Sequence, residues 1–364
     1  MYQRNLGLDI LRSAAIVGVI IYHLFWYLPG GDLGSMVPVE LFFSLSGFLI
    51  AQMIVERFDR ISTWAAVQAF VINRWMRTLP LYWIALIGHA AIQMAVDPGH
   101  PGQLASLVTA NAFFVQNLSN DAIHYGSNFF AASWSLCIEE WFYLLCPLVL
   151  LALGCRSARF WSIVGSALVL VAIGARLNRY LVTDSGLSTM YSYRMATLFR
   201  PDVFVYGMAV YFCMNRIFAR RWMRLVAFAC GLLMTATNFW LDHGDHEGMF
   251  GKIFLPSTAP LAMALLIPAM TRFQIVESRW LQIGTKWLST RTYAVYLFHG
   301  PIFALYIIPE HSGPARILMT LIVTLLAANF MHVYVERPIM NRRPMRALSS
   351  TDIPVEASSV TPSA

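Results

Sequence analysis

The chain has 364 residues, of which 58% are hydrophobic and 12% are charged. A soluble domain carries about 25% charged residues, so this composition excludes an ordinary soluble protein and is typical of a polytopic membrane protein. The formal net charge of +7 raises nucleic acid as a partner, which the positions of the basic residues then exclude.

Ten apolar stretches follow one another along the chain, each close to the roughly 20 residues that a helix needs to cross a bilayer. In chain order they are 8–28, 37–55, 78–96, 133–153, 160–177, 198–214, 222–241, 253–270, 288–308 and 315–335. A weaker apolar stretch, residues 103–118, predicts a short helix on the outer side. The predicted fold class is therefore an all-α polytopic membrane protein, a bundle of about ten transmembrane helices.

The basic residues are distributed unevenly between the two sides of this bundle. With the N-terminus in the cytoplasm, 20 of the 26 Lys and Arg residues fall in cytoplasmic segments and six in outer segments. Cytoplasmic loops of membrane proteins carry such an excess, which predicts both termini in the cytoplasm and leaves no role for nucleic acid. Residues 1–340 are predicted to form the membrane domain, and residues 341–364, rich in Ser, Thr and Pro, a disordered cytoplasmic tail.

Arg12 and His23 are ionisable residues within the first span. At 100° per residue, their spacing brings both side chains to one helix face, about 16 Å apart along the axis. Arg12 is near the cytoplasmic entry, whereas His23 lies more than half-way across the membrane. An imidazole titrates near neutrality, so His23 is predicted to be a general base. The alternative is a neutral histidine that hydrogen-bonds between helices.

Two arginines, Arg74 and Arg77, stand where a cytoplasmic loop enters the third span. Their i, i+3 spacing puts them on one helix face. Two guanidiniums side by side can bind a phosphate or a carboxylate, so the pair is predicted to hold an anionic group of a substrate. Positive charge that serves only membrane topology is the alternative.

The fourth span contains Glu139 and Glu140. Helical neighbours differ by about 100°, so at most one of the two points straight into the bundle. A carboxylate there can orient and stabilise a histidine, and Glu139 is predicted to hold the tautomer of His23; pairing with a structural arginine is the alternative. In the second span, Ser46 precedes Gly47, a combination that allows close packing and a hydrogen bond between helices.

Further polar features of the spans are compatible with structural pairing as well as with function: Glu40, Arg200 with Asp202, His299, and Glu336. The outer loop DHGDHEG, residues 242–248, contains metal-ligand residue types without a zinc or calcium spacing, and no metal is predicted. The chain contains no GxSxG, P-loop or HExxH motif, so neither a hydrolase nucleophile elbow nor an ATP site is expected.

Several of these stretches occur in the order in which the membrane acyltransferase-3 family has them, and together they cover about residues 6–340. They are Arg12-x10-His23, LFFSLSGFLI, Arg74-x2-Arg77 with Pro80, SWSLCIEEWFYLLCP, FRPDVFVYG, TYAVYLFHGP and a terminal ERP. The chain therefore resembles the members of that family.

The resemblance implies an integral membrane O-acyltransferase that transfers an acyl group, commonly acetyl, from cytoplasmic acyl-CoA to a hydroxyl of a carbohydrate, such as a surface polysaccharide or a glycolipid sugar. It implies His23 as the catalytic residue, Arg12 as its partner in the motif, and Arg74 and Arg77 as acyl-CoA ligands. Ser46 is added as a further donor-binding residue. The expected surroundings are the lipid bilayer of a bacterial cytoplasmic membrane.

Other functions and mechanisms are open at this point. A proton-coupled transporter also needs buried His, Glu and Arg residues in its spans, although it has no need of an arginine pair at the cytoplasmic entry. The acceptor is alternatively a glycosylated small molecule such as a macrolide. Direct attack by the acceptor hydroxyl and a covalent acyl-histidine intermediate are both compatible with the residues.

Overall fold

The computed structural model describes nine segments of the chain, and every regular element within them is a helix. The described residues are 5–26, 38–57, 63–118, 129–153, 158–183, 193–245, 248–273, 278–306 and 313–343. The predicted all-α class is confirmed over these ranges. Residues 344–364, most of the predicted tail, lie outside them.

Twelve α-helices occur in the described segments, numbered here in chain order. They are α1 (Leu6–Trp26), α2 (Val39–Arg57), α3 (Trp64–Val96), α4 (Pro101–Ala112), α5 (Ser133–Leu153), α6 (Ala158–Thr183), α7 (Val205–Cys213), α8 (Arg221–Asp245), α9 (Leu255–Met270), α10 (Arg279–Tyr306), α11 (Pro314–Met331) and α12 (Arg337–Asn341). Short 3-10 turns occupy Thr197–Phe199 and Ile217–Ala219, and π-helical turns occupy Phe250–Phe254 and His332–Glu336.

Seven stretches of the described helices are long and apolar enough to cross a membrane. They are Leu6–Phe25, Trp64–Val96, Ser133–Ala152, Arg159–Val182, Arg221–Asp242, Phe250–Met270 and Pro314–Asn341. Three of the predicted spans fall on helices outside these seven stretches. The apolar part of α2 is only Val39–Met53, α7 has nine residues, and the first half of α10 contains three basic residues. The protein is therefore a multi-pass membrane protein in which length and composition identify seven spans among the described residues, and the other three of the ten predicted spans stay predictions.

Helix α3 is the longest element, with 33 residues. Its length of about 50 Å exceeds the roughly 30 Å hydrocarbon core of a bilayer by about 20 Å. The helix begins after Thr63, whose hydroxyl accepts the backbone N–H of Ala66 at 3.3 Å, as an N-cap residue does. The short helix predicted within residues 103–118 is α4, which begins at Pro101 because proline costs no hydrogen bond in the first turn.

Helices α2 and α7 pack with their backbones in contact. A Cβ atom added to Gly47 would lie 2.1 Å from the carbonyl oxygen of Phe204, and one added to Gly207 would lie 1.9 Å from that of Ser44. Since only glycine fits at either position, the predicted role of Gly47 in close helix packing is confirmed.

Helix α2 also contributes to a group of fully enclosed charges, here called the sealed ion cluster: Glu40, Arg176, Arg194, Arg200 and Asp202, each 0% exposed. Glu40 Oε1 accepts from Arg194 Nη2 at 3.0 Å, and Oε2 accepts from Arg200 Nη2 at 2.7 Å. Asp202 Oδ2 accepts from Arg176 Nη2 at 2.8 Å and from two neighbouring hydroxyl groups. Glu40, Arg200 and Asp202 are therefore paired with one another or with neighbouring arginines in the interior of the bundle.

Candidate active site

A cavity of about 320 Å³ lies among helices α1, α2, α3, α5 and α10. Five of the six predicted site residues line it: Arg12, Ser46, Arg74, Arg77 and Glu139. Aromatic rings and hydroxyl groups supply much of the remaining lining, among them Phe42, Phe70, Tyr143, Tyr293, Tyr296 and Ser135. The volume is in the range of small-ligand pockets. Polar residues from separate motifs of the sequence therefore meet in one space.

Glu139 is the centre of the hydrogen bonding in this cavity. Its Oε1 accepts from Ser46 Oγ at 2.6 Å, from Arg74 Nη2 at 3.1 Å and from the Tyr143 hydroxyl at 2.5 Å. Three donors on one carboxylate oxygen, one of them charged, hold the side chain in a single position. Of the two roles considered for this carboxylate, pairing with an arginine is the one that the structure contains.

Arg74 and Arg77 both line the cavity, but their surroundings differ. The guanidinium of Arg74 bonds Glu139 and lies 3.7 Å from the ring centroid of Tyr143, so a carboxylate and an aromatic face both stabilise its charge. Within the described part of the chain, Arg77 has no carboxylate at ion-pair distance. The two arginines of the predicted pair are therefore not equivalent.

Arg12 reaches the cavity from α1. Its Nη1 lies 3.4 Å from Oδ1 of Asp9, a carboxylate that is 2% exposed. The two residues are three positions apart on one helix face, a spacing that favours ion pairing. Asp9 is not among the residues predicted from the sequence, although its position three residues before Arg12 favours an ion pair with that arginine.

His23 lies outside the cavity lining, and its tautomer is set by its own helix. The Nδ1 atom lies 2.9 Å from the carbonyl oxygen of Val19. Because a carbonyl only accepts, Nδ1 carries the hydrogen and Nε2 carries the lone pair. Glu139, which the sequence assigns to this task, is instead bonded to Ser46, Arg74 and a tyrosine.

His299 connects His23 to the cavity. The two imidazole rings meet edge to face, with centroids 4.7 Å apart, and His299 is 1% exposed. Nδ1 of His299 donates to the carbonyl oxygen of Tyr296 at 2.7 Å, and the Tyr296 hydroxyl lies 2.7 Å from Ser135 Oγ. Tyr296 and Ser135 both line the cavity. A continuous series of contacts therefore leads from His23 to the cavity.

Three tyrosines of the cavity were also not predicted from the sequence: Tyr143, Tyr293 and Tyr296. Tyr143 stands four residues after Glu139, on the same helix face, which is a usable indication. The other two lie in the stretch TYAVYLFHGP and have no distinguishing spacing. Glu140 is buried but does not belong to the lining, so Glu139 is the one of the two neighbouring carboxylates that faces the cavity.

Metal-ligating residues do not gather at this site. Within the described segments, no group of three or more His, Cys, Asp or Glu side chains could hold a metal ion. The acidic outer loop 242–248 is only partly included, since residues 246–247 lie outside those segments.

Comparison with known proteins identifies the family. A family model described as an acyltransferase domain, acyltransferase-3, matches residues 5–331, a range that contains all six predicted site residues. The chain belongs to the membrane acyltransferase-3 family. The resemblance seen in the motifs is confirmed, and with it the assignment to multi-pass membrane acyltransferases.

Curated relatives of this acyltransferase match it over most of its length. YrhL of Bacillus subtilis (strain 168), a candidate peptidoglycan O-acetyltransferase, is 25% identical over 358 residues, which cover 92% of this chain and 54% of that protein. The peptidoglycan O-acetyltransferase OatA of Listeria monocytogenes is 26% identical over 362 residues, 92% of this chain and 55% of that protein. The chain spans about half the length of these two relatives. No solved structure matches it.

Proposed function

We propose that the protein is a membrane O-acyltransferase that moves an acyl group, most simply acetyl, from cytoplasmic acyl-CoA to a hydroxyl group of a carbohydrate. The observation that carries this proposal is the cavity in which Arg12, Ser46, Arg74, Arg77 and Glu139 meet. Ionisable groups at membrane depth are costly and mark functional sites, above all where they line an open volume. The acyltransferase family supplies the reaction class.

The donor enters this cavity from the cytoplasm. In the proposed topology all ten apolar stretches cross the bilayer and both termini are cytoplasmic, because the excess of Lys and Arg then falls inside. Residues 1–340 form the membrane domain and residues 341–364 the cytoplasmic tail. The surplus length of α3 extends into the cytoplasm. Arg77, about 20 Å along this helix, then lies near the membrane boundary, where the phosphates of CoA arrive.

His23 is the proposed general base, acting through Nε2. It takes the proton of the acceptor hydroxyl while that oxygen attacks the thioester carbonyl carbon, which gives a tetrahedral intermediate. The C–S bond then breaks, and the CoA thiolate takes the proton back from the imidazolium. The products are an ester and free CoA thiol, with protons and electrons balanced. In the alternative route the same nitrogen attacks first and forms an acyl-histidine.

The other residues position the donor. Glu139 holds Ser46 and Arg74 against the cavity wall through the hydrogen bonds described above, and these two contact the thioester arm. Arg12, which forms an ion pair with Asp9, lines the cavity on the side of α1. The thioester arm of the donor then extends from the cavity toward His23, in the direction given by Ser135, Tyr296 and His299. In this assignment Glu139 acts on the donor rather than on the tautomer of His23.

Peptidoglycan is the proposed acceptor. Two relatives that cover 92% of this chain have peptidoglycan O-acetylation in their names, and a peptidoglycan sugar offers the hydroxyl that the chemistry requires. Surface polysaccharides, glycolipid sugars and glycosylated small molecules offer the same group, so they belong in the same experiment as competing acceptors.

The full chain in lipid vesicles tests the proposal. With acetyl-CoA labelled in the acetyl group, we expect label on peptidoglycan fragments and release of CoA thiol in equal amounts. Transfer to another acceptor alone would correct the acceptor. If the protein neither binds acetyl-CoA nor cleaves its thioester, the enzymatic proposal is wrong. Proton movement across the vesicle membrane without thioester cleavage would indicate the transporter instead.

A further inference from the structure

One positive charge at the cavity, that of Arg77, has no carboxylate at ion-pair distance among the described residues. Arg74 already has an anion, since its Nη2 lies 3.1 Å from Glu139 Oε1, and the ring of Tyr143 covers it. Arg77 lines the same cavity and lacks a carboxylate partner among the side chains that the structure describes. Burying a charge without a partner is costly, so the position of Arg77 favours an anion from outside the protein.

A second arginine with unused donors closely follows α12, a helix that packs against α3, to which Arg77 belongs. It is Arg343, which stands outside the range matched by the family model. Its Nε and Nη2 atoms are buried and have no hydrogen-bond partner in the described structure. Burial, followed by the nearby charges of Arg77 and Arg74, lowers the pKa of Arg343 to about 10. The guanidinium therefore stays charged at neutral pH and close to Arg77. The nearby carboxylate of Glu336 lies against His332 Nδ1 at 2.8 Å, and no carboxylate among the described residues is at ion-pair distance from Arg343.

We propose that Arg77 and Arg343 form a phosphate-binding pair that holds the nucleotide end of the acyl-CoA donor, while Arg74 belongs to the wall around the thioester arm. This inference rests on the proposed function and deepens it, because it assigns a different part of the donor to each arginine. A phosphate monoester is close to dianionic at neutral pH, which balances two guanidiniums. Their planar arrangement of donors also matches phosphate oxygens.

An anionic lipid headgroup offers the same phosphate chemistry near the membrane surface. The donor is favoured because Arg77 faces the cavity between the helices, whereas a headgroup stays with the lipid around the bundle. Nothing in the sequence singles out Arg343, since membrane topology also requires a basic cluster at a cytoplasmic terminus.

The test compares two donors that share one thioester arm. Acetyl-CoA has phosphates, and S-acetylpantetheine has none. The full chain is studied in phosphatidylcholine vesicles as wild type, Arg343→Ala and Arg342→Ala; the last removes the same charge from an exposed neighbouring position. We expect Arg343→Ala to raise KM for acetyl-CoA about tenfold, the effect of losing a charged hydrogen bond, and to leave the kinetics with S-acetylpantetheine unchanged.

Three further variants extend the comparison. Arg343→Lys is expected to fall between wild type and Arg343→Ala, because an ammonium keeps the charge but loses the planar set of donors. Arg77→Ala should show the same discrimination between donors as Arg343→Ala, whereas Arg74→Ala should impair both donors. Arg342→Ala should behave as wild type with either donor.

Specific outcomes overturn the inference. An equal loss with both donors in Arg343→Ala means a structural role. An effect that appears only when phosphatidylglycerol is added to the vesicles assigns the pair to a lipid headgroup. If wild type uses both donors and Arg343→Ala matches Arg342→Ala, this inference alone is wrong. If wild type uses neither donor, the proposed function is wrong as well.

Discussion

The sealed ion cluster and the cavity both place arginine–carboxylate pairs inside a membrane bundle, but they differ in access. Every member of the sealed ion cluster is 0% exposed, and both oxygens of Glu40 are occupied by arginines. In the cavity, the side chains of Arg74 and Glu139 are 22% and 17% exposed and border an open volume of about 320 Å³.

This difference shows that a charge within a span does not by itself indicate a catalytic function. An enclosed pair holds helices together, since no substrate can reach it. A pair on a cavity wall can act on whatever enters. The two regions should therefore respond differently to mutation: the sealed ion cluster through stability with the activity of each folded molecule retained, and the cavity through activity with the fold retained.

The largest expected effect is on activity and concerns His23. Replacing it with alanine removes the proposed general base and should lower the transfer rate about 10²–10⁴-fold, with unchanged insertion and thermal unfolding. Initial rates with labelled acetyl-CoA provide the measurement. His89→Ala is the matched control, because His89 is another half-buried histidine whose Nδ1 bonds its own helix, at Ala85 O. Normal transfer by His23→Ala would refute the assignment of the base.

The next effect is on stability and concerns Glu40. Glu40→Gln leaves Arg194 and Arg200 without their shared anion in a fully enclosed place, which should destabilise the fold by about 3–5 kcal/mol. Thermal unfolding in detergent and the yield of folded protein are the readouts. The activity of each folded molecule should be retained. If Glu40→Gln unfolds normally but no longer transfers the acyl group, the proposed difference between the sealed ion cluster and the cavity is wrong.

A smaller effect is expected for Glu139. The amide in Glu139→Gln keeps the shape but weakens the hold on Arg74. Charged hydrogen bonds contribute about 1.5–3 kcal/mol, so kcat/KM for acetyl-CoA should fall about 10–100-fold. Glu140→Gln, a change at the buried neighbour outside the cavity lining, should leave kcat/KM near the wild-type value. Equal effects of the two changes would argue against a specific role for Glu139.

The smallest expected effect concerns Ser46, and Ser44 of the same helix α2 serves as its control. Ser46→Ala removes a neutral donor from Glu139, worth about 1 kcal/mol, and should reduce kcat/KM about fivefold. Ser44, whose hydroxyl donates to Pro260 O at 2.7 Å, lies in the closed packing. Ser44→Ala should lower the unfolding temperature and leave kcat/KM unchanged. The reverse pattern would show that the cavity boundary is misassigned.

Hydropathy predicted the helices well, because each of the ten apolar stretches overlaps a helix of the structure. It did not predict where α7 begins. The apolar stretch 198–214 yields a helix of only nine residues, since the chain before Val205 is irregular and brings Arg200 to Glu40. An ion pair between residues 160 positions apart leaves no trace in a local pattern.

The site was predictable where polar residues stood out against apolar surroundings, as Arg12, Ser46 and Glu139 do. Their partners were not, because partnership depends on how α1, α2, α3 and α5 are placed around one another. Glu139 was assigned to His23 on chemical grounds, whereas its distance to Ser46 and Arg74 is decided by packing. Tyrosines are enriched at the membrane–water interfaces of membrane proteins, so the tyrosines of the cavity do not stand out in the sequence as functional residues.

The backbone contact between α2 and α7 has a mechanical consequence. Gly47 and Gly207 leave no gap between the two helices, so the wall that includes Ser46 cannot shift without breaking both contacts. Widening of the cavity therefore falls to the walls that lack such a backbone contact, among them α3 and α10. Each contains an interior proline, Pro80 and Pro301, at which a backbone hydrogen bond is missing and the helix bends more readily. The cavity thus has one rigid side and one compliant side, and the proposed donor is expected to enter along the compliant one.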